Sequence, residues 1–179
     1  MMEKVELFDQ KPRNTKFDQS WVTTGKTSDR ERNIITSLDL DPARMERHNQ
    51  HLQAKYQKIR ENEVRYEEIE CADAEYLMIA FGSSSRICQK TVKLAREEGI
   101  KAGLLRPITL FPFPEKIINQ MAARVKGMLT VELNSGQMLE DVKLAVNGQK
   151  KVDFYGRMGG MIPTPDEVLE ELKNKLTGG

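Results

Sequence analysis

Over the larger, C-terminal part of the chain, short apolar runs alternate with amphipathic segments. The run Tyr76–Phe81 (YLMIAF) is continuously apolar and is followed by Gly82, which is typical of a strand buried on both faces. Similar runs predict further strands over residues 100–105, 126–133 and 152–155. Helical spacing predicts four helices, whose inner faces are Ile87, Thr91, Val92 and Ala95; Ile117, Ile118, Met121 and Val125; Leu139, Val142 and Ala145; and Val168, Leu169, Leu172 and Leu176. This alternation predicts a three-layer α/β/α fold, in which helices cover both faces of a mostly parallel sheet.

Capping residues mark the ends of several predicted helices. Ser83–Ser85 offer N-caps for the helix after the first strand, and Gly99 is expected to end it. Asn147–Gly148 is expected to close the third helix. The segment Thr164–Glu167 (TPDE) predicts a capping box for the last helix, with proline at a position that needs no N–H.

The N-terminal part of the chain has a different pattern. Residues 1–41 are polar and turn-rich and predict an extended arm, although Trp21 and Val22 are expected to bury against something. An Asp–Pro pair then starts a charged helix, expected over residues 42–63. Its apolar residues form a narrow stripe, which consists of Met45, Leu52, Tyr56 and Ile59. The stripe suits contact with a neighbouring domain or a partner chain. Residues 64–70 (VRYEEIE) fit either a short edge strand or the end of this helix.

Three prolines lie within eight residues of the segment LLRPITLFPFPEKI (Leu104–Ile117). Pro107 removes a backbone donor and favours an extended Arg106, so the strand is expected to end near Arg106. That places Arg106 at the carboxyl edge of the sheet, where open α/β sheets bind ligands. Pro112 and Pro114 stiffen the link to the next helix. The segment is predicted to be a rigid loop that loses little entropy when a partner docks; a packed turn without a ligand is the alternative.

Three further loops are expected at the same edge of the sheet. Gly82–Arg86 (GSSSR) opens a helix and could bind an anion, but it has neither dinucleotide nor P-loop spacing. NSGQ follows the third strand and RMGGM the fourth. Capping and turn formation explain each loop alone, whereas Arg106 and Arg157 together would form an anion site or pair with carboxylates across an interface. The candidate residues at this edge are Gly82, Ser83, Ser84, Arg106, Asn134, Gly136, Gln137, Arg157, Gly159 and Gly160.

Composition excludes several classes of function. Lys and Arg number 28 against 27 Asp and Glu, so the chain has no general attraction to nucleic acid or anionic membranes. No apolar stretch approaches the ~20 residues of a membrane span, and the start lacks the apolar region of a signal peptide. We therefore expect a cytoplasmic protein. Cys71 and Cys88, the two cysteines, lie outside any CxxC, and both histidines fall on the charged helix. We expect no catalytic residue, no metal site and no bound cofactor in this chain alone.

Four segments resemble one protein family. LLRPITLFPFP, VELNSGQMLEDVKLAVNG and FYGRMGGMIPTPDEV are similar to the C-terminal part of the alpha chain of 2-oxoacid:ferredoxin oxidoreductases. RNIITSLDLDPARMERHNQHLQAKY most resembles the branched-chain, 2-oxoisovalerate type. The motifs are specific in combination, and the resemblance runs through nearly the whole chain. It implies a fold like the C-terminal domain of transketolase, with a five-stranded sheet whose edge strand, residues 64–70, is antiparallel to the other four.

The resemblance also implies a larger protein. Enzymes of this family use thiamine diphosphate, Mg²⁺ and iron–sulfur clusters to decarboxylate a 2-oxoacid oxidatively, form an acyl-CoA and reduce ferredoxin. Their alpha chain has a pyrimidine-binding domain before the transketolase-like domain. By this resemblance residues 1–41 are an arm from that missing domain, 42–63 a connecting helix and 64–179 the α/β domain. Met1 is then an internal position of a longer chain.

The family assigns its cofactors mainly to other parts of the complex. The beta chain holds the diphosphate and Mg²⁺, and other subunits or domains hold the clusters, so the resemblance transfers no catalytic residue to this sequence. The implied partners are the beta and the gamma or delta subunits and, through the complex, ferredoxin. The motif residues are expected to serve domain and subunit packing or to shape the approach of coenzyme A. An independent flavodoxin-like module that binds phosphate or nucleotide, and a structural dimerisation unit, are the alternatives.

Overall fold

The computed structural model describes residues 7, 9, 11, 12, 23, 25, 28, 29 and 31–177, with side chains described through residue 175. The chain divides into two compact units, Met1–Glu46 and Arg47–Gly179. Trp21 and Val22, which the sequence predicts to be buried, lie outside the described residues. The predicted division into arm, connecting helix and α/β domain stays a prediction.

Helix α1 (Pro42–Asn62) begins at the predicted Asp–Pro pair. One carboxylate oxygen of Asp41 accepts hydrogen bonds from the amides of Ala43 and Arg44, at 3.0 and 3.2 Å. All of α1 is described and none of its residues is fully buried; its half-buried residues are those of the predicted stripe, Met45, Leu52, Tyr56 and Ile59. The stripe is therefore confirmed as a burial pattern, while its use as a contact between two copies stays a prediction.

The sheet has five strands, as the resemblance implies. The strands are β1 (Tyr66–Ile69), β2 (Tyr76–Ile79), β3 (Ala102–Pro107), β4 (Gly127–Glu132) and β5 (Val152–Gly156). Their order is β1-β3-β2-β4-β5, and β1 alone runs antiparallel to its neighbour. Residues 64–70 therefore contain the antiparallel edge strand, and the prediction that they continue the first helix is wrong.

Helices cover both faces of this sheet. They are α2 (Gly82–Glu97), α3 (Glu115–Arg124), α4 (Gln137–Val146) and α5 (Pro165–Leu172), and a π-helical turn (Lys173–Thr177) follows. Alternate side chains of β2 and of Ala80, the next residue, point to opposite faces: Leu77 and Ile79 pack in the layer of α3 and α4, and Met78 and Ala80 in the layer of α2 and α5. All four are fully buried, because a central parallel strand is covered on both sides. The predicted three-layer architecture is confirmed.

Most predicted helix ends are confirmed, and one is wrong. The Glu167 amide donates to the Thr164 hydroxyl at 3.2 Å, and the Thr164 amide donates back to the Glu167 carboxylate at 2.8 Å, which completes the capping box. The serines after β2 do not cap α2. The N-cap is Phe81, which has no side-chain acceptor, and Ser85 inside the first turn donates its hydroxyl to the Gly82 carbonyl at 2.7 Å.

The two cysteines lie on opposite faces of the sheet, Cys71 in the layer of α3 and α4 and Cys88 in the layer of α2 and α5. Burial raises the pKa of the Cys71 thiol to about 11 and raises the pKa of Cys88 as well. Because the thiolate is the reactive form, we expect neither thiol of the folded chain to react with a maleimide at pH 7.5. Both should react in denaturant, as mass spectrometry would measure. Rapid labelling of Cys88 in the folded chain would contradict its assigned burial.

Candidate functional site

The candidate residues lie around the carboxyl ends of β2 and β4, where the order in which successive strands are added to the sheet changes direction. From β2 the chain crosses to β3 on one side, whereas β4 and β5 lie on the other side. The carboxyl ends of β2 and β4 are therefore a topological switch point, where open α/β sheets place their ligand sites. The loops that begin at Gly82 and at Leu133 lie directly over this point, because β2 and β4 are hydrogen-bonded neighbours. The structure thus places two of the four predicted loops directly over the switch point.

The loop between β4 and α4 is fixed by two side chains that bind the start of the helix. The Asn134 side-chain oxygen accepts hydrogen bonds from the amides of Gly136 and Gln137, at 2.7 and 3.0 Å. Glu132 is the last residue of β4 and has no exposed surface; its two carboxylate oxygens accept from Met138 at 2.9 Å and Leu139 at 3.0 Å. Gly136 adopts φ +104°, which favours glycine. All the backbone donors at the start of α4 therefore have partners within the chain.

Glu132 was not among the candidate residues predicted from the sequence. It lies six and seven residues before the amides that it binds, whereas an ordinary capping side chain lies two or three residues before the amide that it binds. The available signal was a carboxylate at the end of an apolar strand, KGMLTVEL, immediately before a helix start. A charge at that place in a buried strand requires a local partner, which here is the helix itself.

The loop after β2 is arranged differently. Gly82, Ser83 and Ser84 form the first turn of α2, with Gly82 exposed, Ser83 half-buried and Ser84 buried. Gly82 adopts φ +55°, and a Cβ added there would meet no atom within 4 Å. The glycine is therefore required for its backbone conformation and not for close approach of another group.

The structure does not bring the two predicted arginines together. Arg106 lies on β3 and Arg157 follows β5, with β2 and β4 between them, a separation of roughly 14 Å at the spacing of neighbouring strands. Arg106 forms an ion pair with Glu67 of β1 at 2.9 Å, and Arg157 lies 3.6 Å from Glu167 of α5. Each guanidinium is thus paired with a carboxylate of its own chain.

The glycines at the end of β5 and in the loop that follows it are required for two different reasons. Gly159 and Gly160 have φ values of +65° and +88° and open space around them, so positive φ, and not close approach, explains this pair. Close approach occurs instead at Gly156, where an added Cβ would lie 2.4 Å from the carbonyl oxygen of Asn134 and 2.4 Å from the ring of Phe154. Gly156 therefore allows the end of β5 to approach the loop between β4 and α4 closely.

The proline segment is an ordered loop, as predicted. Thr109 connects it to the residues that follow α1: its hydroxyl accepts from the Arg65 amide at 3.0 Å and donates to the Pro112 carbonyl at 2.9 Å. The Phe111–Pro112 peptide bond is cis. The Phe111 ring packs edge-on against Tyr56, with 5.9 Å between ring centroids, yet remains 57% exposed. The loop therefore holds an aromatic side chain in a defined position at the surface.

Exposed apolar side chains are concentrated at the carboxyl edge, which we define as the carboxyl ends of β2–β5, the adjoining start of β1 and the loops that follow them. Within Arg47–Gly179, the large apolar residues that the structure describes as exposed are Tyr66, Ile108, Leu110, Phe111, Leu133, Leu144, Met158, Met161 and Ile162. Eight of these nine lie at the carboxyl edge, and the ninth, Leu144, lies on α4. The opposite edge instead carries ion pairs of Glu75 with Lys101 and Lys126. Within Arg47–Gly179, the exposed apolar side chains are therefore distributed unevenly between the two edges of the sheet.

Metal-ligand clusters and membrane-spanning helices were both sought among the described residues. No group of three or more His, Cys, Asp or Glu among them is arranged to hold a metal ion. Of the helices in the described part of the chain, none has the length and apolar character needed to cross a membrane.

Residues 74–168 match the family model described as pyruvate:ferredoxin oxidoreductase core domain II. The ketoisovalerate oxidoreductase subunit VorB of Methanothermobacter thermautotrophicus is 46% identical over 156 residues, which are 87% of this chain and 44% of that protein. The 2-oxoglutarate synthase subunit KorA of Methanothermobacter marburgensis is 39% identical over 106 residues, 59% of this chain and 27% of that protein. The chain thus spans less than half the length of the curated relatives that it matches.

Two solved structures have the same fold. A 2-oxoglutarate:ferredoxin oxidoreductase from Magnetococcus marinus, with 2-oxoglutarate, coenzyme A and succinyl-CoA bound, matches 77% of this chain and 24% of that chain with a TM-score of 0.63 and 20% identity. A split-gene transketolase matches 63% of this chain and 41% of that chain with a TM-score of 0.55 and 18% identity. These likenesses agree with the transketolase C-terminal-like fold. Together with the match over more than half of its residues, they lead to one identification: the chain belongs to the pyruvate:ferredoxin oxidoreductase core domain II family.

Proposed function

We propose that this chain is the assembly domain of the alpha subunit of a thiamine-diphosphate-dependent 2-oxoacid:ferredoxin oxidoreductase, of the 2-oxoisovalerate type. The complete complex decarboxylates the 2-oxoacid oxidatively, transfers the acyl group to coenzyme A and reduces ferredoxin. The chain contributes no catalytic residue and positions the beta and the gamma or delta subunits. The family match and the 46% identity to a ketoisovalerate oxidoreductase subunit support the reaction class.

The observation that carries the assembly role is the concentration of exposed apolar side chains at the carboxyl edge. A hydrophobic patch on a soluble domain is favourable only when a partner removes it from water. The proline loop with Phe111 and the loop after β5 with Met158 and Met161 are held by hydrogen bonds or fixed turns, so docking them costs little conformational entropy. Aromatic side chains and methionine are also the residues enriched at the centres of protein interfaces.

Neither the two cysteines nor the start of α4 fits a cofactor of the complex. A [4Fe–4S] or [2Fe–2S] cluster needs several thiolates, whereas Cys71 and Cys88 are buried on opposite faces of the sheet. A diphosphate needs free backbone donors or cations, whereas the first-turn donors of α4 are bound to Glu132 and Asn134. In the proposed complex, the clusters and the thiamine diphosphate with its Mg²⁺ are therefore held by other domains or subunits.

The interface is tested by copurification with the other subunits of the same oxidoreductase. We expect Phe111→Asp and Met158→Asp each to reduce the recovered complex at least about tenfold, because a buried charge replaces an apolar contact. Leu144→Asp is the matched control, because Leu144 is 77% exposed but lies away from the carboxyl edge. The control should copurify like the unchanged chain.

Thermal unfolding of each variant separates lost docking from lost folding. All three positions are exposed, so the variants should unfold within a few degrees of the unchanged chain. Equal recovery of all three variants would contradict the proposed surface. Turnover of a 2-oxoacid by the purified chain alone, or iron bound to it, would contradict the proposed division of labour between subunits.

A further inference from the structure

The first turn of α4 resembles a helix N-terminus with an anion already bound. An anion at such a site accepts hydrogen bonds from consecutive amides and lies at the positive end of the helix dipole. The carboxylate of Glu132 does both: one oxygen accepts from Met138 at 2.9 Å and the other from Leu139 at 3.0 Å. Glu132 has no exposed surface, so water cannot replace these bonds.

We propose that Glu132 is an internal anion that occupies the anion position at the start of α4 and closes that helix N-terminus to phosphate-bearing ligands. The Asn134 side chain binds the two preceding amides, so no first-turn donor of α4 is left for a phosphate oxygen. The carboxylate also adds negative charge where a phosphate would lie, and like charges repel strongly away from water. The proposal does not depend on the assembly role, because it follows from the contacts of Glu132 and Asn134.

The carboxylate of Glu132 also limits which ligands the loop between β4 and α4 can bind. A nucleotide-type ligand such as coenzyme A carries several negative charges, so its phosphates would not bind at Asn134, Gly136 or Gln137. The side chains that this loop turns outward are the neutral residues Leu133, Ser135 and Gln137, all of them exposed. For Asn134, Gly136 and Gln137, packing against another domain or subunit is therefore favoured over recognition of the phosphates of coenzyme A.

The proposal is tested by chemical rescue in the full chain. Glu132→Ala removes a CH₂–COO⁻ group, which has nearly the size and charge of acetate. We expect this variant to unfold at a lower temperature than the unchanged chain and to regain part of the loss in acetate, with much less recovery in the bulkier anion pivalate. Acetate should not stabilise the unchanged chain or Glu132→Gln, because their side chains fill the space.

Amide hydrogen exchange provides a second measurement if the alanine variant does not fold. In Glu132→Gln the side chain has one acceptor and one donor in place of two acceptors, so at least one of the amides of Met138 and Leu139 should exchange at least about tenfold faster. Thr130→Val is the matched control, because Thr130 lies two residues earlier on β4, is fully buried and has a hydroxyl without a partner among the described residues. In Thr130→Val, the amides of Met138 and Leu139 should exchange at the same rate as in the unchanged chain.

Inorganic phosphate tests whether the N-terminus of α4 is closed to phosphate-bearing ligands. Titration into the unchanged chain should leave the amide signals of residues 136–139 in place. Phosphate-dependent shifts of those signals would overturn the proposal. So would a folded Glu132→Ala variant that acetate does not stabilise, or unchanged exchange at both amides in Glu132→Gln.

Discussion

Replacing Gly156 by alanine should destabilise the domain by about 3 kcal/mol, near the upper end of the cost of inserting an atom into a packed site. The added Cβ would lie 2.4 Å from the carbonyl oxygen of Asn134, and a backbone atom of a hydrogen-bonded loop cannot move away cheaply. The loss should appear as a lower denaturant midpoint at unchanged m-value in urea unfolding.

Gly159→Ala is the control for this substitution. An added Cβ there meets nothing within 4 Å, so the cost comes only from φ +65° and should be about 1 kcal/mol. Equal losses for the two variants would show that the end of β5 and the Asn134 loop are not in close contact.

Truncating Leu77 to alanine should cost about 4 kcal/mol. Leu77 is fully buried on β2, between neighbouring strands and beneath the layer of α3 and α4, so the cavity cannot collapse without moving one of these elements. Leu144→Ala should change the free energy of unfolding by less than about 0.5 kcal/mol, because its side chain is 77% exposed. Comparable losses for the two would contradict the assigned burial of β2.

The elements of the α/β domain could be predicted because their periodicity is local. The inner residues of the helices, apart from Leu176, whose side chain lies outside the described residues, and the apolar runs of the strands follow from spacing alone. The capping box at Thr164 follows from four consecutive residues. The strand boundaries were less accurate where tertiary pairing decides them. β3 extends through Pro107 because β1 pairs with it there, and a pairing partner 41 residues earlier leaves no local signal.

The candidate site could be predicted only in part. Each loop was correctly assigned to the carboxyl edge, since parallel strands share that edge. Which loops are neighbours depends on the strand order β3-β2-β4-β5, which local patterns do not contain, so the distance between Arg106 and Arg157 could not be predicted. The role of Glu132 depends on a reach of six residues across a turn, and that of Gly156 on the close approach of two loops. Neither is visible in sequence spacing.

The carboxyl edge connects these observations to function. Carboxylates of the chain pair with both candidate arginines and, through Glu132, bind the start of α4, while apolar side chains remain exposed around them. The arginines and the start of α4 are thus already bound within the chain, whereas the exposed apolar side chains keep much of their surface in water. The proposed division of labour, with chemistry in other subunits and positioning here, follows from that difference.

Hydrogen–deuterium exchange of the chain, alone and in complex with the other subunits of its oxidoreductase, tests this account most directly. We expect protection on assembly over residues 108–111 and 157–162, at the carboxyl edge, and unchanged exchange around Glu75, Lys101 and Lys126 at the opposite edge. Protection confined to that opposite edge, with residues 108–111 and 157–162 as accessible as in the free chain, would contradict the account.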